Sequence, residues 1–150
     1  MASRCLTRPE LTQLVRRQLS SLFCDDSGMP AQGTAIYWLS DPRDVRQIRY
    51  VGQTRAPRRR FLQHLNTARL WLPDETPWWV PSPKLRPLYE WIRELHQDEF
   101  RLPAMVVSTW VDTTAQARLA ERTRILECLE QRLPLLNFET EVLGRQMPLL

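Results

Sequence analysis

Residues 57 to 64, PRRRFLQH, put three arginines in the opening turn of an expected helix and a histidine four residues beyond the last of them. A helix start carries partial positive charge and unpaired N–H groups, so a cation there costs about 0.3–1 kcal/mol. An anion such as phosphate reverses that sign, because the same N–H groups and the arginines can converge on it. Only Arg60 lies four residues before His64, and positions i and i+4 share a helix face. Arg60 is therefore the candidate for a reaction centre. Arg58 and Arg59 are rotated away, as contacts to a substrate backbone or as solvated charges. The alternative for His64 is a surface or half-core histidine without chemistry.

Upstream, TAIYWLS and QIRYVGQ are β-branched and aromatic runs separated by DPRDVR, the pattern of a hairpin. If Asp41 and Arg46 close the loop, Leu39 faces Ile48 and Tyr37 faces Tyr50. Directly opposed residues have Cβ atoms about 4.5–5.5 Å apart, so the two phenols would share one face, with Gly52 leaving it open one step beyond. The alternative is a plain cross-strand aromatic pair in a core.

These residues must be held by the elements around them. LTRPELTQLVRRQLSSLF carries Leu11, Leu14, Val15, Leu19 and Leu22 at helical spacing, with Thr7 and Glu10 as a capping box. This predicts an N-terminal amphipathic helix and linker over residues 1–32, which could pack on the domain or pair with its copy in a homodimer. Residues 33–150 form the main domain. Phe61, Leu65, Ala68 and Leu72 make the apolar stripe of the arginine-led helix. PDETPWWVPSP is a proline-rich connection to a helix over roughly residues 84–97, whose stripe is Leu85, Leu88, Ile92 and Leu95. AMVVSTWV, apolar on both faces, reads as the central strand of a small sheet. TTAQARLAERTRILECLEQRL is the last helix. The expected class is α+β: a small three-stranded antiparallel sheet flanked by helices, in β-β-α-α-β-α order, with an extra N-terminal helix.

Composition bounds the function. A chain of 150 residues with no long apolar run and no apolar leader reads as one cytoplasmic domain, not a membrane protein. Cys5, Cys24 and Cys128 have neither metal-site spacing nor an even count, which suits reduced thiols. The net charge is +4, and Lys84 is the sole lysine against 20 arginines. Eight of those arginines fall between Arg43 and Arg69, against one acid, Asp44. Such a basic face points to a polyanionic partner, and the arginine fork suits phosphate. Arg49, Arg55, Arg58, Arg59, Lys84 and Arg86 are candidate nucleic-acid contacts. Trp78 and Trp79 are candidates for stacking on unpaired bases, the alternative being that they cover the core under a long loop.

Taken in order, these residues resemble the GIY-YIG endonuclease family. Ala35-Ile36-Tyr37 stands for the first half of the motif, Tyr50-Val51-Gly52 for the second, and Arg60 with His64 for its RxxxH element. LAERTRILECLEQRLPLLN supplies Glu121 and Asn137 where the family has a glutamate and an asparagine. The resemblance covers residues 33 to 139, with Ala35 replacing the first glycine and a longer stretch between His64 and Glu121. It implies DNA phosphodiester hydrolysis with one divalent cation, Mg²⁺ or Mn²⁺, held by Glu121. Arg60 would grip the scissile phosphate. Tyr37 would be the favoured general base, helped by His64 or by water on the metal. Tyr50 would position water or phosphate, Gly52 would let the backbone approach substrate, and Asn137 would support the site. On its helix, Glu121 would head a row with Ile125 and Cys128, beside a Leu119–Leu126–Leu129–Leu133 stripe. It could instead be a buried acid paired with an arginine. A non-catalytic nucleic-acid-binding module that retains the fold is the rival expectation.

Overall fold

The computed structural model describes residues 33–99 and 101–137, with the isolated positions Thr7, Pro9, Glu10 and Gln13. The expected capping pair is among them: the Thr7 N–H donates to Glu10 Oε2 at 3.1 Å, and the Glu10 N–H donates to Thr7 Oγ1 at 3.4 Å. The rest of the predicted N-terminal helix, the linker, Cys5 and Cys24 lie outside the described residues.

The order is β1 (Thr34–Asp41), β2 (Asp44–Thr54), α1 (Pro57–Ala68), α2 (Arg86–Glu99), β3 (Ala104–Val111) and α3 (Thr114–Glu130). This is the expected α+β order, with a three-stranded antiparallel sheet arranged β2-β1-β3. The centre belongs to β1, and β3 is an edge strand, which corrects the expectation from its apolar sequence. The reason lies in composition on both faces. Ala35, Ile36, Tyr37 and Leu39 are all buried, whereas Ser108 and Thr109 leave the second half of β3 exposed.

The hairpin register also differs from the expected one. Asp41 pairs with Asp44 across Pro42 and Arg43, and Tyr37 stands opposite Gly52, not Tyr50, which faces Leu39. The turn is tight because the Asp41 carboxylate accepts the Arg43 backbone N–H and its guanidinium, each at 2.9 Å. The extra residues of β2 are absorbed as register shifts on either side of Ser40. The slip amounts to two residues, and since side chains alternate with period two, Tyr37 and Tyr50 still share a face, whereas beyond the register shift Ile48 turns to the face opposite Leu39.

The sheet separates two cores. On one side Tyr37 and Leu39 pack with Phe61, Leu65 and Ala68 of α1, Leu88, Tyr89 and Ile92 of α2, and Trp79. On the other, Ile36, Ile48 and Val51 pack with Ala117, Ile125 and Cys128 of α3. Each large apolar side chain so buried contributes roughly 1.5–3 kcal/mol. Pro57 opens α1 at a position where its missing N–H costs nothing, and no acid occupies that first turn. The helix closes at Arg69 in the left-handed region, so Leu72, assigned to the stripe from sequence, falls beyond it. A capping box between Thr113 and Gln116 starts α3. Arg93 of α2 holds the connection after α1 by donating to the carbonyls of Leu72, Pro73 and Glu75.

Candidate functional site

His64, two turns into α1, is fully buried, and three tyrosine rings surround it. Its Nε2 lies 2.8 Å from the Tyr37 hydroxyl and its Nδ1 lies 3.1 Å from the Tyr89 hydroxyl. Tyr50 meets the imidazole edge-on, ring centres 5.5 Å apart, and lies 6.3 Å from Tyr37 on the diagonal that the slipped register creates. Arg60, one turn before His64, is half-buried, and its positive charge acts on the Tyr37 hydroxyl, while its Nη1 donates to Gln63 Oε1 at 3.4 Å. Arg58 and Arg59 are exposed. The distinction drawn from helical spacing alone is thus present in space.

Electrostatics follow from the burial. Desolvation, reinforced by the Arg60 cation, lowers the His64 pKa to about 3, so the ring is neutral at ordinary pH. Burial and the neighbouring Tyr50 push Tyr37 well above the ordinary phenol range, with Arg60 pulling the other way. Burial likewise raises Tyr89, again against Arg60. Burial tends to lower Arg60, but its three tyrosine neighbours outweigh that and its pKa rises. The result is a permanent cation over a neutral, hydrogen-bonded Tyr–His–Tyr chain. Tyr37 and His64 have no solvent-exposed surface, so Arg60 and the half-buried Tyr50 form the face of the site.

Gly52 serves a different purpose from the one expected. A Cβ built there would lie 2.6 Å from the Tyr37 hydroxyl oxygen and 2.7–2.9 Å from ring carbons. What the missing side chain admits is the Tyr37 ring, in the space foreseen for substrate. Asn137 is buried and clamps the outer edge of β2. Its Oδ1 accepts the Val51 N–H at 3.0 Å and its Nδ2 donates to the Val51 carbonyl at 2.7 Å. The residue between Tyr50 and Gly52 is thereby fixed.

Glu121 is half-buried on α3, one turn from Ala117 and from Ile125, both of which pack on the sheet face opposite His64. The leucine stripe beside it is buried only in part: Leu119 is exposed, Leu129 and Leu133 pack at the edge of the core, and the fully buried positions are Ala117, Ile125 and Cys128. Among the described residues no three His, Cys, Asp or Glu side chains gather as a metal-binding group. A single carboxylate fits only a hard cation that keeps most of its water, which is the habit of Mg²⁺.

The other expected contacts divide. Trp78 is 66% exposed, while Trp79 is a core residue: it packs on Tyr89, ring centres 5.8 Å apart, and its Nε1 donates to the Thr67 carbonyl. The two tryptophans therefore cannot act as a stacking pair. Arg49 lies half-buried over the Trp91 ring at 5.5 Å, and Arg86 is ion-paired with Glu90 at 2.8 Å. Both line a cleft of about 320 Å³ with Glu94 and Leu136, away from His64. Arg55 and Lys84 are exposed. Tyr89 escaped the sequence reading, since a hydroxylated ring among the apolar residues of α2 gives no signal until His64 is found beside it. Comparison with family models, curated proteins and solved structures finds no match to this chain. Among the described residues no helix is long and apolar enough to cross a membrane.

Proposed function

We propose that this chain is a metal-dependent endonuclease that hydrolyses phosphodiester bonds of DNA at the face formed by Arg60 and Tyr50. The observation that carries the reading is the convergence of Tyr37, Tyr50, Arg60 and His64 from β1, β2 and α1, with the guanidinium beside the Tyr37 hydroxyl at a helix start. A phosphate arriving there draws Arg60 into charge-assisted bonds that strengthen as charge develops. Tyr37 takes a proton from the attacking water and passes its own to His64 Nε2. The hydroxide oxygen bonds to phosphorus, the bond to the leaving oxygen breaks, and that oxygen takes its proton from solvent. The incoming negative charge offsets the Arg60 field, which favours the imidazolium. Tyr50 orients the water or the phosphate. Glu121 would hold the Mg²⁺ or Mn²⁺ that the resemblance implies, and the ion when bound supplies positive charge to the phosphate.

A second reading, a nucleic-acid-binding module without catalysis, is favoured by the burial of Tyr37 and His64 and by the packing of α3, which carries Glu121, on the other face of the sheet. Incubation with supercoiled plasmid and with a single-stranded oligonucleotide, with Mg²⁺, with Mn²⁺ and with chelator, separates the two. We expect cleavage that chelator abolishes. Glu121→Gln should stop cleavage and spare DNA binding, and Arg60→Ala should lower turnover by about 10²–10³-fold. Binding without cleavage under every condition would establish the second reading. Full activity of Glu121→Gln would remove the metal from Glu121.

A further inference from the structure

The sequence motifs account for Tyr37 and His64 but leave Tyr89 without a task, although its hydroxyl occupies the other nitrogen of the same ring. A neutral imidazole offers one donor and one acceptor, so the two contacts cannot be alike. Buried polar groups find partners, and that requirement selects the tautomer. Tyr37 has no exposed surface, and the charged neighbour that acts on it, Arg60, can only donate. The Tyr37 proton then needs an acceptor, and His64 Nε2 at 2.8 Å is the one available among the described residues. Nε2 must be bare and Nδ1 must carry the hydrogen, which points at the Tyr89 oxygen 3.1 Å away. The Thr67 side chain lies beside the Tyr89 hydroxyl and acts to lower its pKa against burial. In the opposite tautomer Nε2–H would donate to Tyr37, and the buried Tyr37 proton would face no acceptor among the described residues.

We propose that Tyr89 is a positioning residue: by accepting from His64 Nδ1–H, it holds the imidazole in the tautomer whose Nε2 lone pair receives the Tyr37 proton. Built on the endonuclease reading, this sets the direction of proton flow, from water to Tyr37 to His64. The other tautomer would make Tyr37 a proton donor toward the site, unable to accept. Packing of Tyr89 against Trp79 and Thr67 fixes its hydroxyl in place, so the preference is built into the fold and needs no substrate.

The test is long-range ¹H–¹⁵N correlation on the imidazole nitrogens of the full ¹⁵N-labelled chain, without DNA, for wild type and Tyr89→Phe. Wild type should show a protonated, pyrrole-type Nδ1 and a bare, pyridine-type Nε2 at His64. Tyr89→Phe keeps the ring and its packing but removes the acceptor, and should shift His64 toward protonated Nε2. In cleavage assays the same variant should lose kcat by roughly tenfold or more with KM within about twofold, the signature of lost proton transfer. Protonated Nε2 in wild type, or an unchanged pattern in Tyr89→Phe, overturns the proposal. Should Tyr89→Phe fail to fold, Thr67→Val, which removes the hydroxyl beside Tyr89, carries the same spectral test. A wild-type chain that cleaves no DNA would defeat the endonuclease reading alone, because the nitrogen spectrum decides the tautomer without it.

Discussion

At position 52 a single hydrogen in place of a methyl group decides whether the Tyr37 ring can lie across β2. The ring cannot yield, since His64 holds its hydroxyl and the surrounding core holds its edges. Gly52→Ala should therefore destabilise the fold by about 1–3 kcal/mol through overpacking and break the Tyr37–His64 bond. A urea midpoint equal to wild type would show that the ring has room to move. His64 itself couples the fold to pH. Its folded pKa, about 3, lies below the ordinary 6.5, so above pH 6.5 both states carry neutral imidazole and no slope arises. Between about 6.5 and 3 only the unfolded chain takes up the proton, and stability falls with pH by at most about 1.4 kcal/mol per unit. His64→Gln removes that titration, so urea unfolding from pH 7 to pH 4 should show a shallower acid decline than wild type. Parallel curves would mean that His64 is solvated in the folded state.

At the scale of elements, the hairpin shows what a sequence carries and what it hides. Alternation told which residues share a face, and the two-residue slip preserved that for Tyr37 and Tyr50, which meet despite a misplaced register. The slip itself depends on bulges beside Ser40 and on the Asp41–Arg43 clasp, neither of which has a periodic signature. The Arg60–His64 pairing was legible because helical geometry fixes i, i+4 neighbours. The buried row of α3 was not, because its leucines suggest one face while the sheet selects Ala117, Ile125 and Cys128. Strand order was hidden for a similar reason: the apolar run of β3 resembles a centre, yet only β1 is closed on both faces. Asn137 joins elements that sequence separates by 86 residues. Removing its side chain leaves the Val51 N–H and carbonyl without partners at the edge of β2. Asn137→Ala should cost about 1–3 kcal/mol in chemical denaturation with an unchanged m-value. A loss much smaller than this would mean that water replaces the amide.

For the molecule as a whole, the question is where its positive charge acts. Eight arginines crowd the segment from Arg43 to Arg69, but the fold consumes several of them locally. Arg43 pairs with Asp41, Arg46 with Asp44 and Arg69 with Glu75, at 2.9–3.1 Å, and Arg49 is spent on the Trp91 ring. The four arginines at positions 55 to 60 stand instead at the opening of α1, where helix N–H groups add to the same field. On the proposed endonuclease reading a polyanion is held at that one end, with Arg60 differing from its neighbours in kind: half-buried beside Tyr37, it would act on the reacting phosphate, while Arg58 and Arg59 would act on the flanking backbone. Phosphate contacts release counterions, so log affinity falls with log salt by about 0.9 per neutralised phosphate on duplex DNA. Arg59→Ala should lower that slope by about one, weaken binding evenly across sequences, and leave turnover of bound DNA near wild type, as should Arg58→Ala. Arg60→Ala should cost far more turnover than affinity. If all three variants lost turnover equally, the half-buried guanidinium would have no privileged place, and the first turn of α1 would be a general electrostatic surface without a reaction centre in it.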